Sequence, residues 1–215
     1  MRSVQNKVTK ILIVRSKFYG DYEDILLKNA ILRLLEIEVF KKYDREKCNF
    51  ELDAISPSSV AINVISDPFT NTLEQAVGFL DSKIVPIADK ANVASFSVSQ
   101  FNLEFDVITV PGALEIPHAV LYFLDKNPSI DGIVALGCVI KGETTHFDHV
   151  CNETMRMLND IAMRKRVCLG NGIITALNEK QAEVRVNFFK KNIGGLAMQA
   201  CLDMIAIKNS IGRIV

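Results

Sequence analysis

The stretch that decides the fold is Gly132–Ile140, GIVALGCVI, which is followed directly by the polar run KGETTHFDHV at 141–150. A run with almost no polar side chain is typical of a strand buried on both faces, as the strands of parallel sheets are. The abrupt change to glycine, threonine and histidine indicates that the strand ends in a loop, from which a helix starts. This segment therefore predicts a strand–loop–helix unit of an α/β protein.

Similar units lie on both sides of this one. The chain alternates strand and helix four times, which predicts a mostly parallel sheet covered by helices on both faces, in three α/β/α layers. Ligands of such sheets bind beyond the carboxyl ends of the strands, so the loops that leave the strands deserve inspection. The predicted strands are Lys10–Val14, Asp106–Val110, Gly132–Ile140 and Val167–Thr175, and the predicted helices are Tyr22–Leu35, Ala113–Leu124, Phe147–Arg166, Glu179–Lys190 and Leu196–Ile207.

Residues 37 to about 100 do not follow this alternation of strands and helices. They contain a charged segment at 41–47, a Ser-Pro-Ser-Ser turn at 56–59, an apolar stretch at 60–65 and a predicted short helix at 72–80. This composition is too apolar for a purely disordered segment. We therefore expect residues 1–215 to form a single domain with an insertion after the first helix, packed at the edge of the fold.

Composition excludes several classes of function. Lys+Arg and Asp+Glu are equal at 25 each, so there is no basic excess to bind a nucleic acid. No apolar run approaches the roughly 20 residues that span a bilayer, and the N-terminus lacks a signal-peptide cleavage pattern. The five cysteines form no CxxC pair and are odd in number, which predicts reduced thiols. These features favour a cytoplasmic protein that binds neither nucleic acid nor membrane.

The loop KGETTHFD carries the strongest functional signal. Thr145 and Asp148 are spaced like a capping box, and free N–H groups at a helix start, beside hydroxyls, can bind a phosphate. His146 lies in the same loop and can transfer protons near neutral pH. Two other interpretations stay open from the residues alone. One is an ordinary helix cap with a solvated histidine, and the other is a zinc hydrolase site using His146 and His149, with Asp148 and Cys151 nearby.

The loops after the other strands carry weaker signals. VPGALEIP at 110–117 contains Gly112, which lets the backbone approach a ligand, and Glu115, which either binds hydroxyls or only complements a helix dipole. The loop at 171–178 leads to a helix with Arg185, which is either a ligand or, like most helical arginines, only solvated. In SKFY, after the first strand, the aromatic rings either stack on a ligand or cover the core.

Three blocks of sequence also match a known pattern when they are taken together. They are VPGALEIP, GCVIKGETTHFDHVCNE and NGIITALNEKQAEVR. They resemble the VPGAxEIP loop, the G-x-V-I-[RK]-G-x-T-x-H-[FY]-[DE]-x-V block and the G-[IV]-[LIV]-T-x-x-x-x-x-Q-A-x-x-R segment of the lumazine synthase family. The resemblance covers about 10–36 and 104–208.

This resemblance implies a flavodoxin-like fold and a transferase activity. The family condenses 5-amino-6-(D-ribitylamino)pyrimidine-2,4-dione with 3,4-dihydroxy-2-butanone 4-phosphate. The product is 6,7-dimethyl-8-ribityllumazine, the direct precursor of riboflavin, and phosphate and water are released. No metal and no organic cofactor is implied.

The resemblance also implies roles for single residues. It makes His146 the proton shuttle, and it makes Arg185 a phosphate ligand that reaches in from a neighbouring subunit. The implied substrate-binding residues are Phe18, which stacks on the pyrimidinedione, Ala113, Leu114 and Glu115 at the ribityl chain, Val139, Ile140 and Asn171 at the ring pocket, and Glu143 and Thr144 at the phosphate.

The chain departs from the family pattern in three places. Asn171 stands where many members have Phe, which leaves ring contacts to the main chain. Ile193 and Leu196 stand where many members carry Lys and Asp, which removes a charged pair near the pocket. The family also lacks the insertion. A catalytically weak relative, kept as a ligand binder or shell protein, is therefore one alternative, and the metal-dependent hydrolase using His146 and His149 is the other.

The expected partners follow from the same resemblance. They are the small-molecule substrates and further copies of the chain, assembled as pentamers or as a larger shell. Riboflavin synthase is a candidate protein partner.

Overall fold

The computed structural model describes residues 8–46, 84–90, 93–98 and 103–211. Strands and helices alternate along much of these residues. The strands are β1 (Thr9–Ser16), β2 (Ile84–Lys90), β3 (Val93–Val98), β4 (Leu103–Val110), β5 (Gly132–Ile140) and β6 (Cys168–Ala176), and the helices are α1 (Asp21–Glu46), α2 (Glu115–Lys126), α3 (His146–Lys165), α4 (Glu179–Val186) and α5 (Ile193–Ile211).

The described strands form one sheet in the order β2-β3-β4-β1-β5-β6. The strands β4, β1, β5 and β6 are parallel, whereas β3 pairs antiparallel with β4, and β2 antiparallel with β3. β1 lies inside the sheet, where Ile11 to Val14 are fully buried. The predicted flavodoxin-like, mostly parallel α/β fold is therefore confirmed, with an antiparallel pair of strands added at one edge.

Helices cover both faces of the sheet, because successive side chains of a strand point to opposite sides. Ile11 and Ile13 belong to a core shared with α1, α4 and α5. Leu12 and Val14 belong to a second core shared with α2 and α3. The two cores make the molecule a three-layer sandwich, and every strand of the parallel part is held between helices.

The packing of α5 depends on very close contacts with its neighbours. A Cβ atom added at Gly170 of β6 would lie 1.9 Å from the carbonyl oxygen of Ala197 in α5. A Cβ atom at Gly194 of α5 would lie 2.3 Å from the carbonyl oxygen of Leu26 in α1. Only glycine permits such approaches. They fix α5 against the sheet and α1 against α5.

Several boundaries differ from the sequence prediction. Helix α1 continues to Glu46, well beyond the predicted Leu35. Strands β2 and β3 occupy most of 84–98, so this part of the predicted insertion belongs to the main sheet. Of the residues predicted as an insertion, those of α1, β2 and β3 therefore belong to the domain itself. The predicted apolar stretch at 60–65 and the predicted helix at 72–80 lie outside the described residues.

Helix α4 is shorter than predicted. It ends at Val186, because Asn187 adopts an extended backbone and its side chain accepts a hydrogen bond from the N–H of Phe189, 2.9 Å away. This local side-chain bond competes with a further turn of helix. The predicted end at Lys190 is therefore wrong.

Four of the five cysteines lie in the described part of the chain, and all four are free and buried. Burial raises the pKa of the Cys138 and Cys201 thiols to about 12. Burial also raises the pKa of Cys151 and Cys168. Such thiols are inert packing groups at neutral pH. Separately, none of the helices that the structure describes is long and apolar enough to cross a membrane.

Candidate functional site

The carboxyl ends of the four parallel strands meet at one edge of the sheet, which we call the site edge. The register places Ser16 of β1 beside Val110 of β4, and Ile140 of β5 beside Ala176 of β6. β1 and β5 are themselves neighbours. The loops that leave these strands are therefore adjacent, which is the arrangement in which sheets of this kind bind ligands.

The loop after β1, residues 17–20 (the β1 loop), presents an aromatic ring. Gly20 has a φ of +64°, which favours glycine, and its carbonyl accepts the N–H of Asp24 at 3.0 Å to start α1. The Phe18 side chain is 72% exposed, and its ring rests edge-on against Tyr19, with centroids 5.0 Å apart. A large aromatic side chain with an open face at a strand end is suited to stacking on a planar ligand.

A buried carboxylate lies behind this loop, at a position that the sequence pattern does not single out. Glu23, in the first turn of α1, is fully buried, and it accepts hydrogen bonds from Ser16 Oγ at 3.0 Å and from the N–H of Tyr19 at 3.2 Å. Burial raises the pKa of the Glu23 carboxyl, while these hydrogen bonds oppose the rise. In the sequence, Glu23 looks like its neighbours Asp21 and Asp24, which suit the helix dipole, and nothing in the pattern signals its burial.

The other carboxylate of that turn makes a second connection. Asp24 forms an ion pair with Arg15, whose Nε donates to Thr109 Oγ1 at 3.2 Å. Arg15 is next to the end of β1, and Thr109 is next to the end of β4. The first turn of α1 therefore connects the end of β1 to the end of β4. Two of the loops of the site edge start from these strand ends.

The loop after β4, residues 111–114 (the β4 loop), makes a tight turn into α2. The N–H of Glu115 donates to the Gly112 carbonyl at 3.3 Å, and the N–H of Ile116 donates to the Ala113 carbonyl at 3.2 Å. Ala113 is buried and Leu114 half-buried, whereas Glu115 is exposed. The Glu115 carboxylate folds back over Gly112, where an added Cβ atom would lie 2.9 Å from Oε2. The turn thus carries an acceptor that a hydroxylated ligand could use.

The loop after β5, residues 141–145 (the β5 loop), is the polar and exposed one. Val139 and Ile140 are half-buried at the end of the strand, and Glu143, Thr144 and His146 are exposed. His146 is the first residue of α3, and its N–H donates to Thr144 Oγ1 at 3.3 Å. The loop therefore places an exposed imidazole, a hydroxyl and a helix start close together, next to the β1 loop.

The predicted capping box of Thr145 and Asp148 is wrong. Thr145 already has helical backbone angles, and its side chain makes no capping hydrogen bond. Its carbonyl oxygen instead accepts the N–H groups of Asp148 at 3.0 Å and His149 at 3.4 Å. A capping side chain needs an extended backbone to turn back on the helix start, so the hydroxyl that bonds there is that of Thr144.

The groups of the alternative zinc site lie on different sides of α3. His146, Asp148 and His149 are exposed, whereas Cys151 is buried in the layer against the sheet. Among the described residues, no group of three His, Cys, Asp or Glu side chains is arranged to hold a metal ion. The geometry gives no support to the hydrolase interpretation.

Asn171 is not brought to the site edge of its own chain. It lies in β6 beside Ala135, five residues before Ala176, and five residues of strand span about 16 Å. Its side chain is exposed, and Oδ1 accepts the N–H of Ile173 at 3.0 Å. Within one subunit, Asn171 is therefore too far from Ile140 to share a pocket with it.

Arg185 lies near the end of α4, and its Nη1 donates to the Gln181 carbonyl at 3.0 Å. The next residue, Val186, accepts a hydrogen bond from Asn29 Nδ2 at 2.7 Å, almost two turns into α1 from Glu23. The Arg185 guanidinium is thus bonded to its own helix. On α5, Leu196 is exposed and Ile193 is half-buried.

The site edge of one subunit thus combines an aromatic platform, an exposed acceptor and a proton-transfer group. Phe18 supplies the platform, Glu115 the acceptor and His146 the imidazole. This combination can hold a planar, hydroxyl-bearing molecule and can move protons on it. The β5 loop also carries a cation, the exposed Lys141, which can contribute to binding an anion.

Comparison with known proteins agrees with this description. The family model for 6,7-dimethyl-8-ribityllumazine synthase matches residues 87–209. A Bartonella henselae protein named 6,7-dimethyl-8-ribityllumazine synthase is 53% identical over 113 residues, which are 52% of this chain and 72% of that protein. The protein of that name from Agrobacterium fabrum is 47% identical over 123 residues, which are 55% of this chain and 83% of that protein. The chain therefore belongs to the 6,7-dimethyl-8-ribityllumazine synthase family.

Proposed function

We propose that this protein joins 5-amino-6-(D-ribitylamino)pyrimidine-2,4-dione to 3,4-dihydroxy-2-butanone 4-phosphate, giving 6,7-dimethyl-8-ribityllumazine, phosphate and water. The observation that carries the proposal is the exposed His146 at the start of α3, beside the strand end of Val139 and Ile140, in a chain of this family. The free thiols of the described cysteines suit a reducing compartment, and we place the reaction in the cytoplasm.

The proposed chemistry asks little of the protein beyond positioning and proton transfer. The primary amine of the pyrimidinedione is already a nucleophile, so no activated serine or cysteine is needed. Imine formation, loss of phosphate and ring closure each require proton movements, which we assign to His146. A well-placed general acid–base contributes roughly 10²–10⁴-fold. Holding both substrates in register supplies much of the remaining acceleration.

The other residues of the site edge serve binding in this proposal. Phe18 stacks on the pyrimidinedione, with the end of β5 opposite. The β4 loop and the start of α2 bind the ribityl chain, through the main chain of Ala113 and Leu114 and through the Glu115 carboxylate. Glu143 and Thr144 line the phosphate position at the helix start, where unpaired N–H groups favour an anion.

Arg185 and Asn171 act, in this proposal, on the site of a neighbouring subunit in a pentameric ring. The position of Asn171 in β6, about 16 Å from the site edge of its own chain, supports this assignment for Asn171. A head-to-tail contact that repeats with closure produces such a ring. Rings can associate further into a shell, and riboflavin synthase is a candidate partner of the assembly.

A turnover assay with both substrates tests the activity. Purified protein should produce lumazine absorbance and release phosphate in equal amounts. If product is absent while the protein still binds the pyrimidinedione, the chain is a ligand-binding relative and the proposed activity is wrong.

A mixing experiment tests the shared site. His146→Ala and Arg185→Ala proteins should each be weak, and they are then unfolded, mixed equally and reassembled together. With random mixing, roughly a quarter of the interfaces regain both side chains, so activity should rise well above either parent. If mixed rings form and activity stays at the parental average, Arg185 does not complete a neighbour's site.

A further inference from the structure

Glu23 is a buried carboxylate at an edge of the molecule where its neighbours are exposed. Its side chain is fully buried, whereas Asp21 and Asp24 in the same helical turn are exposed. Burying a carboxylate is costly unless several donors surround it. Glu23 carries this cost directly behind the β1 loop. A role at the start of the helix does not explain why its carboxylate is buried.

The donors around Glu23 come from different elements. Ser16 at the end of β1 donates through Oγ at 3.0 Å, and Tyr19 in the β1 loop donates through its N–H at 3.2 Å. The Ser16 hydroxyl also lies against β5, since a Cβ atom added at Gly137 would be 3.0 Å from Ser16 Oγ. The last paired residues of β1 and β5 are Arg15 and Leu136, so Gly137 lies just beyond the point where these strands pair. The carboxylate and its Ser16 donor therefore lie where β1 and β5 have separated.

Tyr19 connects Glu23 to Phe18. Its N–H donates to Glu23, and its side chain packs against the same core as Ile140 at the end of β5. Tyr19 is thus attached to α1 through its backbone and to the core beside β5 through its side chain. The Phe18 ring leans on Tyr19, with centroids 5.0 Å apart. Phe18 itself is largely exposed and has no comparable support.

We propose that Glu23 is a positioning residue, whose buried carboxylate fixes the β1 loop against β5 and thereby sets the Phe18 ring at the correct height above the end of β5. The inference rests on the proposed function, because the ring matters only if the pyrimidinedione stacks on it. Glu23 touches neither substrate. It acts through Tyr19, and its removal should impair binding of the aromatic substrate selectively.

Kinetics with matched variants test this proposal. Glu23→Leu keeps the volume but removes the acceptors, and Glu23→Gln keeps one oxygen acceptor. We expect Glu23→Leu to raise KM for the pyrimidinedione about tenfold, the size of a lost stacking contact, while KM for the butanone phosphate changes less than about twofold. Glu23→Gln should restore most of the loss. The control, Asp21→Asn, removes the same charge from the same turn and should behave as wild type.

The mobility of the β1 loop can be measured without following the reaction. The chain contains no tryptophan, so Phe18→Trp introduces a single indole at the tip of the β1 loop. In that background, Glu23→Leu should lower the fluorescence anisotropy of the indole and increase its quenching by acrylamide, and Glu23→Gln should reverse both changes. If Glu23→Leu does not fold, Glu23→Asp, which withdraws the carboxylate by one methylene, takes its place.

The outcomes separate the two proposals. Wild-type protein without turnover contradicts the proposed function, while the indole measurement still decides whether Glu23 orders the loop. If turnover is normal and both KM values shift together, or if only the melting temperature falls, Glu23 is merely structural and the positioning role is wrong. An unchanged indole signal in the Glu23 variants overturns it as well.

Discussion

The β1 loop and the β5 loop leave neighbouring strands at the same edge, yet they are held in different ways. Behind the β1 loop lies a buried carboxylate that accepts a hydroxyl and a main-chain N–H. In the β5 loop and at the start of α3, by contrast, Glu143, Thr144 and His146 are exposed, and the hydrogen bond from His146 to Thr144 lies at the surface. The difference suggests a division of labour, in which one loop is a fixed platform and the other is completed by the ligand that it binds.

The largest effect should come from the exposed loop. His146→Ala should lower kcat by roughly 10²–10⁴-fold, because the variant loses its general acid–base. The melting temperature should hardly change, since the imidazole is exposed and packs against little. Kinetics and thermal unfolding of the same preparation check both statements. A large loss of stability in His146→Ala would contradict the idea that the β5 loop is held less firmly than the β1 loop.

A matched pair of hydroxyl deletions addresses the comparison directly. Ser16→Ala removes one of the donors of a buried carboxylate and should lower the free energy of unfolding by about 1–3 kcal/mol. Thr144→Val removes an exposed bond and should cost less than about 0.5 kcal/mol. Chemical denaturation measures both. Equal losses would remove the distinction between a buried platform and an exposed loop.

Removal of the platform ring should affect binding but not folding. Phe18→Ala should weaken binding of the pyrimidinedione about two- to tenfold, the range of an aromatic stacking contact. The ring is 72% exposed, so thermal stability should stay close to that of wild type. Equilibrium titration with the pyrimidinedione alone gives the binding constant. Unchanged affinity would show that Phe18 is not part of the ring pocket.

The smallest effect concerns pH and stability. Burial raises the folded-state pKa of Glu23 above its ordinary value of 4.5. Protonated Glu23 therefore contributes stability that is fully present below about pH 4.5 and is lost as the pH rises through the raised folded pKa. Glu23→Gln does not titrate, so its free energy of unfolding relative to wild type should become more favourable across that window. If the free energies of unfolding of the two proteins change in parallel from pH 4 to 8, the raised pKa of Glu23 is contradicted.

Much of the fold could be predicted from the sequence because burial leaves a pattern there. Gly132–Ile140 is a strand with the predicted bounds, since a strand covered on both faces must be apolar throughout. Helix α1 was predicted too short, because beyond Leu35 the apolar spacing gives way to charged residues although the helix continues. The end of α4 depends on one side-chain bond of Asn187, which spacing does not reveal.

The site could be predicted only in part, for physical reasons. The loops were found because polar residues directly follow apolar strands. The distance of Asn171 from the site edge depends on strand register, and the role of Glu23 depends on burial, and neither can be read from residue type. The capping prediction failed because Thr145 adopts helical rather than extended backbone angles.

The directions of α1 and β2 decide at which edge of the domain the end of α1 and the start of β2 lie. Helix α1 starts at the site edge and extends away from it for 26 residues, about 39 Å. Strand β2 runs in the same direction as β4, so its first residue lies at the edge opposite the site. Glu46 and Ile84, at which the described chain is interrupted, therefore both lie away from the reacting groups. A label or a second protein attached at either residue would start from the edge of the domain opposite the site.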